Sequence, residues 1–339
     1  MTGFLAPWRS PDLAAPLHAE MVMDTARDVE HLAARASARR RAFVRYLNEG
    51  PLPEIRVIPG SQAGDRPQVT IIIPTADGAR AGNLSRLLVQ IEQQTSHGFE
   101  VIIVQGDRRQ GRAINTGAAI ARGEILVTMD DDTRLGHDDL LDRLVRAFAE
   151  DATIGIAGVS NLAPADAPWV VRRAMRELPR RSSPLVSRVT DSDMAEHPCL
   201  AIRKELFYRV GGEHELIPRG LDPYLRREVR RLGYRVVVIP DAWIHHLLPP
   251  TLGGMLRQYF RNGVGAAYVQ KFYPEWVIEQ TETHEHEVPM HTSSLGRGIR
   301  YTRRVTGALT RGRWIYLGTL AAYALGYGWG LITLREDSL

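Results

Sequence analysis

The chain of 339 residues contains one cysteine, Cys199, and two lysines, Lys204 and Lys271. A single thiol excludes an internal disulfide and fits a reducing compartment. With so little lysine, nearly all the positive charge is arginine, and the formal net charge is only +4. That balance is too weak to argue for a nucleic-acid partner. The N-terminus has no basic region followed by an apolar core, so no secretory leader is expected. Charge is also missing from one long stretch, Trp314 to Leu334. What remains is ordinary: 44% hydrophobic and 24% charged residues, enough for one large domain or two small ones.

Within this ordinary background, Asp130-Asp131-Asp132 follows the apolar run Ile125 to Met129 directly. Three adjacent carboxylates at a strand end repel one another, and a divalent cation such as Mn²⁺ or Mg²⁺ would relieve that repulsion, since hard oxygen ligands suit both. The alternative is an acidic turn capping the helix that starts near Leu140.

The surroundings favour chemistry. Val69 to Ile73, Glu100 to Val104, Glu124 to Met129 and Ile154 to Val159 read as buried strands, because their β-branched runs do not alternate with polar residues. Between them Asn83–Gln94, Arg112–Arg122 and Leu140–Glu150 carry helical patterns, Asn83 being a candidate cap. Strand–helix alternation predicts an α/β fold with a mostly parallel sheet flanked by helices. Ligands in such sheets bind beyond the carboxyl ends of strands, where the three aspartates lie. Residues 1–66 read as a helical extension, about Asp12 to Leu47, followed by a linker; 276–313 read as a polar, basic connector.

Six elements, in order, resemble the family 2 glycosyltransferases: Ile72-Ile73-Pro74-Thr75; Arg112 to Gly117 with Ala121 to Glu124; Asp130-Asp131-Asp132 as the Asp-x-Asp signature; Val210-Gly211-Gly212; the helix of Asp222 ending in Leu232-Gly233-Tyr234-Arg235; and Pro240 to His246. The resemblance spans about residues 68–275 and implies a GT-A (Rossmann-like) domain over 67–275. It also implies inverting transfer of a sugar from a nucleoside-diphosphate donor to a hydroxyl acceptor. Carried over by position, Asp130 and Asp132 would hold the metal with one of His245 or His246. Asp222 would be the base, matching the second acid of a Glu-Asp pair whose first place is Leu221 here. Pro74, Thr75, Asp77, Gln105, Arg112, Asn115, Asp130 and Asp131 would line the nucleotide sugar, and Gln258 and Arg261 the acceptor or diphosphate. The plainer roles are an N-cap for Asp222, packing against Trp243 for the histidines, loop-and-cap structure for Arg112 and Asn115, and an amphipathic helix for Gln258 and Arg261.

Two departures from the family pattern stand out. Gln105-Gly106-Asp107 replaces the acid that family members often carry near the nucleoside, leaving the base open. Gln258-Tyr259-Phe260-Arg261-Asn262 lacks the Trp of the processive Gln-x-x-Arg-Trp motif, which argues against polymer synthesis. The uncharged segment 314–334 would make a helix of roughly 31 Å, the thickness of a bilayer core, with Gly326 and Gly330 at a close-packing spacing. It reads as a transmembrane or membrane-interface helix. The arginines before it predict a cytoplasmic catalytic domain at the cell membrane. Arg172, Arg173, Arg176, Arg180, Arg181 and Arg188 would hold a phosphate-bearing lipid acceptor or form a solvated charge run. His284-Glu285-His286-Glu287 with His291 reads as a polar loop. The competing functions are a non-catalytic scaffold of the same fold and, less supported, a nucleotidyltransferase.

Overall fold

The computed structural model describes residues 53–78, 82–107, 109–215, 217, 220–278 and 294–335. The helix expected over 12–47 and the His284–His291 tract lie outside the described residues. The apolar runs form the centre of a sheet ordered β1-β3-β2-β4-β8-β6-β9-β5. Its strands are β1 (Glu54–Pro59), β2 (Val69–Thr75), β3 (Phe99–Gln105), β4 (Ile125–Thr128), β5 (Thr133–Leu135), β6 (Ile154–Asn161), β7 (Thr190–Asp191), β8 (Leu200–Arg203) and β9 (Arg235–His246), with β7 pairing β9.

The α/β architecture expected from the sequence is present, but the sheet is mixed. The β2/β3, β2/β4 and β6/β9 pairs are parallel, whereas β8 enters antiparallel between β4 and β6. Leu200–Arg203 is only four residues long, too short for a pattern to declare it. β1 lies in the stretch read as N-terminal extension. It adds an antiparallel edge on β3, and its alternating exposed and half-buried residues gave no buried-strand signal.

Both faces of the sheet are covered, which explains the unbroken apolar runs. On one face Ile71, Ile73, Val101, Ile103 and Val127 pack under α1 (Asn83–Glu92) and α3 (Leu140–Glu150). On the other, Ile72, Ile102, Val104 and Leu126 meet α2 (Gln110–Ile120), α5 (Lys204–Arg209) and α6 (Leu221–Arg231). The small residues of α2 let it lie close to the sheet: a Cβ at Gly117 would run into the Ile72 side chain. The first turn of α1 begins after Gly82, with φ of 82°, so Asn83 stands inside the helix and not at its cap.

A third cluster holds the C-terminal helices. α4 (Trp169–Glu177), α7 (Leu252–Phe272), α8 (Ser294–Thr310) and α9 (Trp314–Thr333) share a core of Val171, Met175, Met255, Ala308, Ile315 and Leu320. The segment read as a connector thus contains a helix, α8. The Gly326/Gly330 spacing is used on α7: a Cβ at Gly326 would strike the carbonyl oxygen of Phe260, and one at Gly330 would lie 2.8 Å from the Ala267 Cβ. Both ends of α9 are tied to the body. Glu177 accepts hydrogen bonds from the Ile315 and Tyr316 amides, and Lys271 Nζ donates to the carbonyls of Leu331 and Leu334.

Candidate active site

The strand end of β4 sorts the three aspartates by direction. Asp131 turns inward, 5% exposed, and accepts a 2.6 Å hydrogen bond from the Thr75 hydroxyl at the end of β2. The Thr75 oxygen also accepts from the Gly78 amide, so Thr75 and Asp131, expected on the nucleotide, join two strand ends. Asp130 and Asp132 point the other way, toward His246: its Nε2 lies 3.6 Å from Asp130 Oδ2 and 3.3 Å from Asp132 Oδ1. One donor atom from each of the three lies within 4.8 Å of the others, a set able to hold a metal ion.

The two histidines separate by strand alternation. β5 pairs β9 with Thr133 opposite His246 and Arg134 opposite His245, and successive side chains face opposite sides. His245 Nδ1 pairs with the Leu162 carbonyl at 2.6 Å, away from the aspartates. The structure therefore brings His246, and not His245, to the carboxylates. The His246 amide in turn donates to Asn161 Oδ1, which pins this strand end to β6.

Burial pushes the Asp130 carboxyl up to about 6, with Asp132 and Asp222 adding to the rise and His246 and His197 opposing it. Burial works against a charged His246, but its hydrogen bond to Asp132 and the charges of the two carboxylates prevail and raise it. Carboxylates gathered this tightly retain protons unless a cation takes their place. Gln110, at the start of α2, donates to Asp130 Oδ1 at 2.9 Å. Nothing in its local sequence distinguished it from an ordinary helix-start residue.

Asp222 occupies the first turn of α6, whose cap is Gly220 with φ of 80°, so it is a helical residue and not the N-cap. Its Oδ1 accepts from the His197 amide at 2.6 Å. Burial alone would raise it; the charges of His197, Arg226 and Arg180 and the His197 amide bond outweigh that and lower it. The half-buried carboxylate is thus ionised and remains 23% exposed, which suits a proton acceptor.

The nucleotide-side residues divide. Asn115 is 5% exposed and its amide is committed to both backbone groups of Glu213 and to Glu215 Oε1. Arg112, 2% exposed, pairs with Asp107 at 2.6 Å. Both lie inside α2, where Arg112 holds the Asp107 loop and Asn115 the Glu213 turn. Asp77 is exposed and Pro74 half-buried, and Gln105 lies against Gly78, where a Cβ would meet its Oε1. Gln105 and Asp77 therefore lie at the adjacent ends of β3 and β2.

The arginine run does not act as one unit. Arg173 pairs with Glu177 and Arg180 with Glu196, whereas Arg181 reaches the Tyr259 hydroxyl at 3.5 Å. Burial would lower Arg181, but Tyr259, Glu196 and Asp130 raise it overall. That puts a cation from this run within electrostatic reach of Asp130 and His246, which no spacing in the sequence distinguished from its neighbours. On α7, Gln258 is half-buried and Arg261 exposed, and no contact recorded among the described residues joins either to the carboxylate cluster.

A doubly covered α/β sheet with an Asp-x-Asp turn, a strand-end histidine and a half-buried carboxylate is the arrangement of the GT-A fold. Residues 72–211 match the model of glycosyl transferase family 2. Among solved structures, the mannosyltransferase PcManGT from Pyrobaculum calidifontis, in complex with GDP-Man and Mn²⁺, is 18% identical. It covers 94% of this chain and 99% of its own, with a TM-score of 0.50. TarS 1–349 from S. aureus is 14% identical over 59% of this chain and 65% of its own, with a TM-score of 0.38. No curated protein matches the sequence.

Proposed function

We propose that the protein is an inverting, Mn²⁺- or Mg²⁺-dependent, non-processive glycosyltransferase. It moves one sugar from a nucleoside diphosphate to a hydroxyl of a lipid-linked glycan acceptor in cell-envelope assembly. The carrying observation is the convergence of Asp130, Asp132 and His246, with Asp222 close enough to act on Asp130. Two carboxylates and one imidazole fit such a cation by donor chemistry. When bound there, the ion would supply Lewis-acid neutralisation of the diphosphate leaving group. The GDP-Man and Mn²⁺ held by the Pyrobaculum enzyme are consistent with this assignment.

The protein's own groups supply the remainder. Asp222 takes the proton of the acceptor hydroxyl as that oxygen bonds to the anomeric carbon and the bond to the diphosphate breaks. Attack from the face opposite the leaving group inverts the anomeric centre. Arg181 and Gln110 bracket Asp130 and orient the diphosphate end; Gln105 and Asp77 face the base.

Membrane attachment belongs to the same reading. α9 is long and apolar enough to cross a bilayer, yet its ends are held to the body and its neighbour α7 exposes Arg257 and Arg261. Those features favour a helix lying in the interface of an anionic, cytoplasmic leaflet.

The test is thermal shift with Mn²⁺ and UDP, GDP or dTDP, on the native chain and on Asp132→Ala. One diphosphate should stabilise the native chain only with the metal, as ligand binding to the folded state requires, and the variant should lose the response. No metal-dependent shift with any of the three overturns the site. Binding without donor turnover supports the scaffold alternative instead.

A further inference from the structure

Behind Asp222 lies a buried charge chain that the transfer reaction as described does not use. His197, 3% exposed, sits in the turn before β8, and Glu213, fully buried, follows Gly211-Gly212. His197 Nε2 lies 3.0 Å from Glu213 Oε1 and 3.8 Å from Asp222 Oδ1. Its Nδ1 is 3.0 Å from the Thr128 hydroxyl oxygen, and that hydroxyl has the carbonyls of His197 and Leu200 as acceptors at 3.2 and 3.4 Å. The buried Glu213 and Asp222 carboxylates, both on the Nε2 side of the ring, favour its charged form.

A buried ion pair that served stability alone would be a poor investment, since desolvating both charges offsets most of their attraction. This one is built from three separate elements. Thr128 comes from β4, two residues before Asp130. Glu213 is fixed through its backbone by Asn115 of α2. The same residue, His197, presents both its amide and its ring to the Asp222 carboxylate.

We propose that His197, held by Glu213 and Thr128, is the positioning residue for Asp222, fixing the carboxylate at the head of α6 and keeping it in its proton-accepting form. This rests on the reading of Asp222 as the base. His197 does not touch the acceptor; it acts through Asp222. Consistent with this geometry, burial works against the cation, yet Glu213 and Asp222 carry His197 up to about 9. The charged groups facing the pair are Glu213, Asp130, Arg180 and Arg226.

The experiment titrates Asp222 directly, by carbon-13 NMR of the full-length protein labelled at aspartate carboxyls, with Asp222 assigned by its loss in Asp222→Asn. His197→Gln removes the cation that lowers Asp222, so its titration should rise by about one pH unit. The same variant leaves Glu213 buried and unpaired, so a second variant, His197→Gln with Glu213→Gln, restores neutrality. It should recover thermal stability while the Asp222 titration stays high. In turnover of GDP-mannose or UDP-glucose with Mn²⁺, the acid limb of kcat should move upward in both variants with KM for the donor little changed. An Asp222 titration unmoved in the double variant overturns the proposal. Undiminished turnover in Asp222→Asn overturns instead the assignment of the base, and the two failures are separately visible.

Discussion

At the scale of single residues, direction matters more than identity. His245 and His246 are chemically the same, and β9 sends one to the Leu162 carbonyl and the other to Asp130 and Asp132. His246→Ala should weaken Mn²⁺ binding by about tenfold or more, on the scale seen when the surroundings of a metal are disturbed. His245→Ala should leave it within about twofold; calorimetric titration with Mn²⁺ decides, and equal losses would contradict the strand assignment. The middle aspartate follows the same rule, since Asp131 is drawn inward by Thr75 while its neighbours turn outward. The sequence located this turn but not its directions, because three consecutive identical side chains carry no periodicity. His197, Glu213 and Gln110 were illegible for a different reason. Each gains its meaning from a partner 16 to 25 positions away, such as His197 with Asp222, and a lone polar residue announces no such partner.

Among the elements, the packing of α9 on α7 is the one that a single atom can test. Gly326 and Gly328 are two residues apart in the same helix and have the same intrinsic helix penalty of about 1 kcal/mol relative to alanine. Their surroundings differ: a Cβ at Gly326 meets the Phe260 backbone, whereas one at Gly328 meets nothing within 4 Å. Gly328→Ala should therefore hold or raise the thermal midpoint. Gly326→Ala should lower it, because forcing a helix away from its neighbour costs about 1–3 kcal/mol, more than the propensity gained. Equal behaviour of the two in thermal unfolding would contradict the close contact. The Gly-x-x-x-Gly spacing itself was readable from the sequence; that it packs on Phe260 and Ala267 of α7 was not, since the pairing joins segments some sixty residues apart.

Viewed as a whole, the molecule carries one long uncovered apolar stripe. Leu325, Trp329 and Ile332 on α9 are 69%, 60% and 84% exposed. Arg311 and the half-buried Arg313 lie just before the start of this helix. A stripe of this kind beside arginines suits an anionic bilayer surface, where apolar burial and charge attraction add. The full chain should therefore pellet with vesicles of phosphatidylglycerol and phosphatidylcholine. Leu325→Glu with Ile332→Glu should cut the bound fraction at least about tenfold, without lowering the thermal midpoint. Unchanged pelleting of that double variant would rule out this face as the attachment site.

The amino-acid sequence by itself determined the strand cores, the order of the α/β elements and the position of the Asp-x-Asp turn. Those depend on local β-branched runs and on short motifs whose residues are neighbours in the chain. The tertiary structure decided which histidine joins the aspartates, how β8 enters between β4 and β6, and which cation stands behind Asp222. Each of these is a contact between segments far apart in sequence, fixed by strand register and helix docking, and neither leaves a trace in local composition.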